Sequence, residues 1–127
     1  MAIILVVDDE PAIRALIACA LQQKGFSVLT SGDSLGAISI SRSWRGEIGL
    51  VITDVGMPRM DGATLARALL ADDPSLPILF ISAHHNPPGL DQFECPEFLA
   101  KPFSLDVLLS KVRALTRQTA AALHPVT

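Results

Sequence analysis

Three short runs of apolar residues constrain the fold of this chain more than any other feature of its sequence. They lie at residues 3–7, 50–52 and 78–81, and within them apolar and polar residues do not alternate. Continuous apolarity over the length of a strand indicates burial on both faces, which is typical of a parallel sheet covered by helices. Longer amphipathic stretches separate the runs, so the order of elements predicts a series of βαβ units.

This pattern predicts five strands, at residues 3–7, 27–30, 49–53, 78–82 and 97–100. Helical spacing of apolar residues predicts a first helix over 11–24 and a last helix after Ser104, a candidate N-cap. Gly25 suits a C-terminal cap of the first helix, and Asp61 suits a cap for a helix at about 63–71, with another at 34–43. The apolar stripes expected to face the sheet are Ile13, Leu16, Ile17, Ala20 and Leu21 in the first helix, and Leu105, Leu108, Leu109, Val112 and Leu115 in the last.

Length and composition fit one globular domain, which we place at residues 1–119, followed by a short tail at 120–127. Half of the 127 residues are apolar and 18% are charged, a balance that excludes a disordered chain. The net charge of −3 gives no support to direct nucleic-acid binding, and no apolar run is long enough to span a membrane. Cys19 and Cys95 lack metal-ligand spacing and are expected to be free thiols, which favours a cytoplasmic protein.

Polar residues follow four of the five predicted strands. Asp8 and Asp9 follow the first strand, Asp54 follows the third, Ser82 ends the fourth and Lys101 follows the fifth. The carboxyl ends of parallel strands meet at one edge of the sheet, where ligands bind. Three carboxylates placed together repel one another unless a cation joins them, and Mg²⁺ prefers oxygen ligands. With Mg²⁺ and the lysine the formal charges sum to zero, and such a site can accept a phosphoryl group on an aspartate.

Three strings carry a resemblance to a known family. They are LVVDDEP at residues 5–11, TDVGMPRMDG at 53–62 and FLAKPF at 98–103. In this order, each at a strand end, they closely resemble the bacterial receiver domains of response regulators, over residues 3 to 117. The resemblance implies a flavodoxin-like, doubly wound α/β fold with five parallel strands in the order 2-1-3-4-5. It fits both a stand-alone receiver and a receiver excised from a hybrid histidine kinase.

The resemblance also implies roles in phosphoryl transfer. Asp54 would be the phosphoacceptor, Lys101 would pair with the phosphoryl group and Ser82 would hydrogen-bond it. Ser82 and Phe98 would act as the conformational switch, and the Lys101–Pro102 bond is expected to be cis. The phosphoryl donor would be a histidine kinase or a histidine phosphotransfer protein, and the switched surface would bind a downstream protein target.

A Mg²⁺ site is implied beside the phosphoacceptor. Asp9 and Asp54 would ligate the ion directly, Asp8 would help through water, and the backbone carbonyl of Gly56 would be a further ligand. Such a protein catalyses only its own phosphotransfer and dephosphorylation, and is not otherwise an enzyme.

Two other functions share part of this pattern. A Mg²⁺-dependent phosphohydrolase with an aspartate nucleophile carries that nucleophile on the first strand, with a second aspartate two residues later. In this chain Asp8 and Asp9 are contiguous and position 10 is Glu, which disfavours the phosphohydrolase. A non-phosphorylated interaction module of the same fold would not need the acidic pair, Asp54 and Lys101.

The segment between the fourth and fifth strands departs from the family pattern. The step from Ser82 to Lys101 is 19 residues, shorter than in typical receivers, and it contains Pro87, Pro88, Gly89 and Pro96. Proline is not tolerated inside a helix, and glycine lowers helix propensity further. We therefore predict that the fourth helix of the family is shortened, distorted or absent here. Partner recognition would then shift to other surfaces, such as the first helix.

Overall fold

One parallel sheet organises the structure. This computed structural model describes residues 2–84, 87 and 89–117, so the expected tail at 120–127 lies outside the described residues. Its strands follow the order β2-β1-β3-β4-β5, which confirms the predicted doubly wound topology. They are β1 (Ile3–Val7), β2 (Ser27–Ser31), β3 (Ile48–Asp54), β4 (Ile78–Ser82) and β5 (Glu97–Ala100). The helices are α1 (Pro11–Gln23), α2 (Ser34–Ser43), α3 (Gly62–Asp72) and α4 (Leu105–Leu115). Within the described ranges, no helix is long and apolar enough to cross a membrane.

Helices cover both faces of the sheet, as the continuous apolar runs predicted. Every residue of β1 and β3 is buried. On one face, side chains of the central strands pack with α1 and α4 in a core that includes Ile4, Val6, Leu50, Ile52, Ile17, Leu21, Leu108 and Val112. On the other face they pack with α2 and α3 in a core that includes Leu5, Val7, Val51, Ala37, Leu65 and Leu69. Each fully buried aliphatic side chain stabilises the fold by roughly 1.5–3 kcal/mol, so these two layers fix the sheet.

The predicted helix caps are present. The Asp61 side chain accepts a hydrogen bond from the Thr64 amide at 2.8 Å, and Ser104 accepts one from the Val107 amide at 3.1 Å. Gly25 follows α1 with a φ of 90°, a left-handed conformation that glycine adopts without steric cost. Local capping chemistry therefore sets these helix ends, as the sequence predicted.

The predictions for two leucines are wrong. Leu16 of α1 is 48% exposed and Leu105 of α4 is 38% exposed, although both were placed on apolar stripes facing the sheet. The buried stripe of α1 comprises Ile17, Ala20 and Leu21, and Leu16 lies outside it, about 100° of helix rotation from Ile17 and about 40° beyond Ala20. Leu105 occupies the first turn of α4, before the buried stripe begins at Leu108. A helix that packs on a sheet buries a narrower face than its apolar residues occupy.

The segment between β4 and β5 contains a short 3-10 helix, η1 (Leu90–Gln92), in place of an α-helix. This confirms the predicted shortening over the described part of the segment, which lacks residues 85, 86 and 88. Leu90 is buried, and the ring of Phe93 packs on Phe80 with 5.3 Å between the ring centroids. Arg67 of α3 donates a hydrogen bond to the Gln92 side chain at 2.9 Å. A few contacts to β4 and α3 thus hold η1 in place.

Candidate functional site

The carboxyl ends of β1 and β3 bring three carboxylates together. These strands pair in parallel with Val7 opposite Thr53, so the residues that follow them lie side by side. Asp8, Asp9 and Asp54 each offer an oxygen, and these three oxygens lie within 4.8 Å of one another. Asp8 and Asp54 are buried, whereas Asp9 is exposed. The site is therefore a cluster of carboxylates that is open to solvent on the side of Asp9.

Lys101 joins this cluster from the end of β5. Its ammonium nitrogen lies 3.4 Å from an Asp8 carboxylate oxygen and 3.6 Å from one of Asp54. The Lys101 amide donates to the Ser82 carbonyl at 2.7 Å, which continues the β4–β5 ladder by one residue. The Lys101–Pro102 bond is cis, as predicted. One lysine thus faces two buried carboxylates and offsets part of their charge.

The electrostatics of the cluster are centred on Asp54. Burial raises the pKa of its carboxyl above the ordinary value of 3.8, and this is the largest influence on it. The Lys101 ammonium and a backbone hydrogen bond from Gly56 lower that pKa, while the negative charges of Asp8 and Asp9 raise it. The net shift is upward, so the lysine does not compensate for burial and charge repulsion. A divalent cation among the three carboxylates would favour their ionised forms.

Asp8 is held by its surroundings at both its side chain and its backbone. One carboxylate oxygen accepts a hydrogen bond from the Glu10 amide at 2.9 Å, and its backbone amide donates to the Ser31 carbonyl at 3.2 Å. Its backbone carbonyl accepts a hydrogen bond from an Arg14 guanidinium nitrogen at 2.7 Å. Arg14 was not predicted, because a bond to a carbonyl six residues earlier leaves no helical spacing or capping pattern in the sequence.

The start of α3 packs directly on the end of β3. The Gly62 amide donates to the Val55 carbonyl at 2.9 Å, and a Cβ atom at Gly62 would lie only 2.9 Å from the Cα of Val55. The turn between them contains Gly56, which is exposed two residues after Asp54. The buried Ser34 hydroxyl holds the far side of this loop by donating to the Met60 carbonyl at 2.8 Å. The roles of Ser34 and Gly62 were not predicted, because both are tertiary contacts without a local pattern.

Ser82 and Phe98 lie beside the cluster. Ser82 is buried at the end of β4, next to β3, and its hydroxyl accepts a hydrogen bond from the His84 amide at 3.0 Å. Phe98 of β5 is partly buried and packs on a small apolar cluster that includes Phe80 and Leu90, on the sheet face that carries α3. The structure therefore places Ser82 at the same edge as the carboxylates and Phe98 in the apolar layer beneath η1.

Comparisons with known proteins agree with this geometry. The sequence profile of the family described as the response regulator receiver domain matches residues 4–113. The response regulator MprA of Mycobacterium sp. (strain KMS) is 38% identical over 120 residues, which are 91% of this chain and 51% of MprA. The receiver domain of the hybrid histidine kinase CckA is 33% identical, with a TM-score of 0.79 over 91% of this chain and 100% of that one.

A third relative is the response regulator TrrA from Thermotoga maritima, whose crystal structure is a complex with Mg²⁺-BeF. It is 30% identical, with a TM-score of 0.77, and the match covers 91% of this chain and 99% of TrrA. The chain spans about half the length of the curated response regulators that it matches. Since the family profile covers nearly all of the described residues and the site lies where that family's three strings predict, the chain belongs to the response regulator receiver domain family.

Proposed function

We propose that this receiver accepts a phosphoryl group on Asp54 in a Mg²⁺-dependent reaction. The observation that carries the proposal is the position of Asp54, buried at the end of β3, with Lys101 at 3.6 Å and two further carboxylates within 4.8 Å. Asp8 and Asp9 alone could cap a helix, and Lys101 alone could be a solvated lysine. Their convergence on one buried aspartate has no such structural explanation.

The donor set fits Mg²⁺. Three carboxylates supply the hard oxygen ligands that this ion prefers, and the exposure of Asp9 leaves room for the waters that Mg²⁺ usually keeps. Asp9, Asp54 and the backbone carbonyl of Gly56 would hold the ion, with Asp8 acting through water. When bound, Mg²⁺ neutralises charge on the phosphoryl oxygens. The Mg²⁺-BeF complex of TrrA, a relative of the same family, supports this assignment.

The transfer itself needs little chemistry from the protein beyond position and charge. A carboxylate oxygen of Asp54 attacks phosphorus, the P–N bond of the phosphohistidine donor breaks, and its electron pair stays on the imidazole nitrogen. Lys101 shares the negative charge of the phosphoryl group, and the Ser82 hydroxyl donates a hydrogen bond to it. Burial raises the pKa of Asp54 even with Lys101 beside it, and a bound cation would further favour the ionised nucleophile.

The donor would be a histidine kinase or a histidine phosphotransfer protein, and the output would be a downstream protein target. Phe98 is suited to a switch because it is only partly buried, opposite Phe80 in the β4–β5 pair, and packs on an apolar cluster that includes Leu90 of η1. Both Cys19 and Cys95 are exposed free thiols, which supports a location in the reducing cytoplasm.

The test is to incubate the protein with acetyl phosphate, in one sample with Mg²⁺ and in another with excess chelator. The intact mass of the chain is then measured. We expect one phosphoryl adduct per chain with Mg²⁺, and no adduct with chelator or in the Asp54→Asn variant. Steady release of phosphate from p-nitrophenyl phosphate would instead indicate a phosphohydrolase. A wild-type chain that stays unmodified would indicate an interaction module.

A further inference from the structure

We propose that Arg14 is a positioning residue for the metal site, and that Gly32 provides the space that its guanidinium needs. This inference rests on the proposed function, because the loop that Arg14 holds carries Asp8 and Asp9. Arg14 contacts the backbone carbonyl of Asp8 and not the reacting atoms. It acts on the backbone that orients the two acidic residues.

The hydrogen bond from Arg14 fixes one peptide group of that loop. Its guanidinium donates to the carbonyl oxygen of Asp8 at 2.7 Å, and that carbonyl belongs to the peptide between Asp8 and Asp9. The Asp8 side chain is already held by the Glu10 amide and by Lys101. With its carbonyl held as well, the peptide cannot rotate, and the direction in which the exposed Asp9 side chain leaves the backbone is set.

Arg14 ties the start of α1 to the acidic loop. It lies in the second turn of α1, and its side chain folds back to a carbonyl that precedes the helix. The N-cap Glu10 makes no side-chain hydrogen bond to the first turn of α1. The bond from Arg14 to the Asp8 carbonyl therefore joins the helix to the loop that carries Asp8 and Asp9.

Gly32 supplies an independent observation. It follows β2, and a Cβ atom placed on it would lie 3.0 Å from a terminal nitrogen of the Arg14 guanidinium and 3.6 Å from its central carbon. The φ of Gly32 lies outside the left-handed region, so its backbone conformation does not require glycine. A side chain there would press on the guanidinium, which would have to shift by a few tenths of an ångström. Arg14 and Gly32 thus form one arrangement that joins α1, β2 and the acidic loop.

The test is the Mg²⁺ dissociation constant without a phosphoryl donor, measured from backbone NMR shifts, together with the melting temperature of the metal-free protein. We expect Arg14→Gln to weaken Mg²⁺ binding about tenfold, as loss of an outer-shell partner typically does. Gly32→Ala should weaken it in the same direction by a smaller factor. Arg14→Lys keeps the charge, but lysine has a shorter reach and no planar guanidinium. Its Mg²⁺ affinity should fall between those of Arg14→Gln and Gly32→Ala.

Arg113→Gln is the matched control, since Arg113 is an exposed residue in the last turn of α4 and its loss changes the net charge equally. It should leave Mg²⁺ affinity within twofold of wild type. Equal affinities in Arg14→Gln and Arg113→Gln overturn the role of Arg14 while leaving the proposed function intact. A loss of affinity that is matched by a large fall in melting temperature also overturns it, because Arg14 would then be merely structural. A wild-type chain that binds no Mg²⁺ overturns the proposed function and this role together.

Discussion

Charged residues behave differently at the two ends of the parallel strands. We call the end where the C-termini of the strands meet the carboxyl edge, and the opposite end the amino edge. At the carboxyl edge, Asp8, Asp9 and Asp54 face a single lysine, and the pKa of Asp54 is raised because burial and repulsion outweigh that lysine. At the amino edge, Arg117 pairs with Asp73, and hydrogen bonding from the guanidinium lowers the pKa of Asp73 below its ordinary value.

Arg117 satisfies several groups at that amino edge. Its guanidinium donates to the Ile48 carbonyl at 3.1 and 3.3 Å and to the Ser75 hydroxyl at 2.9 Å, in addition to the Asp73 carboxylate. Its backbone amide donates to the Gly49 carbonyl at 3.0 Å. At the amino edge the charges of Arg117 and Asp73 thus offset each other, and these contacts of Arg117, which we call the clamp, contribute stability. The carboxyl edge keeps an excess of negative charge, which costs stability and which the proposed Mg²⁺ ion would offset.

The largest expected effect comes from breaking the clamp. Arg117→Ala removes a partner of Asp73 and leaves the Ile48 carbonyl without the two bonds it accepts, so we expect a loss of about 2 kcal/mol in unfolding free energy. Denaturant unfolding measures this loss. Arg113→Ala, an exposed arginine of α4, is the control and should change stability by less than about 0.5 kcal/mol. A similar loss in both variants would contradict the clamp.

At the carboxyl edge, removal of a charged group should raise the stability of the fold instead of lowering it. Asp54→Asn removes a buried charge that repels Asp8 and Asp9, so without Mg²⁺ we expect the melting temperature to rise by a few degrees. Asp73→Asn should lower the melting temperature, because Arg117 then loses its charged partner. Calorimetry of the two variants beside wild type compares the edges directly. Melting temperatures that fall in both would show that the carboxyl edge is not under electrostatic strain.

The contributions of Asp54 and Asp73 to folding stability should change in opposite directions with pH. Asp54 has a raised folded pKa, so its penalty is fully present above that pKa and disappears as pH falls from it toward the unfolded value of 3.8. Asp73 has a lowered folded pKa, so its contribution is present above 3.8 and is lost as pH falls below that value. The stability gap between Asp54→Asn and wild type should therefore narrow on acidification from neutral pH, before the contribution of Asp73 is lost. Urea titrations at several pH values would contradict this if the gap widened.

The smallest effect is expected in the segment that leaves the carboxyl edge after β4. Its 3-10 helix η1 covers three residues and its anchors are Leu90 and Phe93, whereas α1 covers 13 residues and buries Ile17, Ala20 and Leu21. Amides of the described residues 89–95, which include η1, should exchange with solvent faster than those of α1; residues 85, 86 and 88 of the predicted segment 84–95 lie outside the described residues. Hydrogen exchange read by NMR measures the difference. Strong and uniform protection of the segment, equal to that of α1, would contradict the prediction.

Sequence patterns predicted the features that depend on local chemistry. The continuous apolar runs indicated a doubly covered parallel sheet, and the residues after each run indicated which side chains would meet at its edge. The unpredicted features are contacts between distant residues. Arg117 reaches Ile48 across 69 positions, and the space for Arg14 depends on the absent side chain of Gly32. Neither leaves a periodic or capping signal. Leu16 was predicted to face the sheet but is exposed. The apolar pattern of a helix does not show how wide a face of it the sheet covers.

The excess negative charge at the carboxyl edge is proposed to serve one nucleophile, Asp54. Reduction of the phosphorylated chain with borohydride converts a phosphoaspartate to homoserine, and peptide mass spectrometry then locates the modified residue. We expect conversion at position 54 alone in wild type, the same result in Asp73→Asn, and no conversion in Asp54→Asn. Conversion at Asp8 or Asp9, or a modified Asp54→Asn variant, would contradict it.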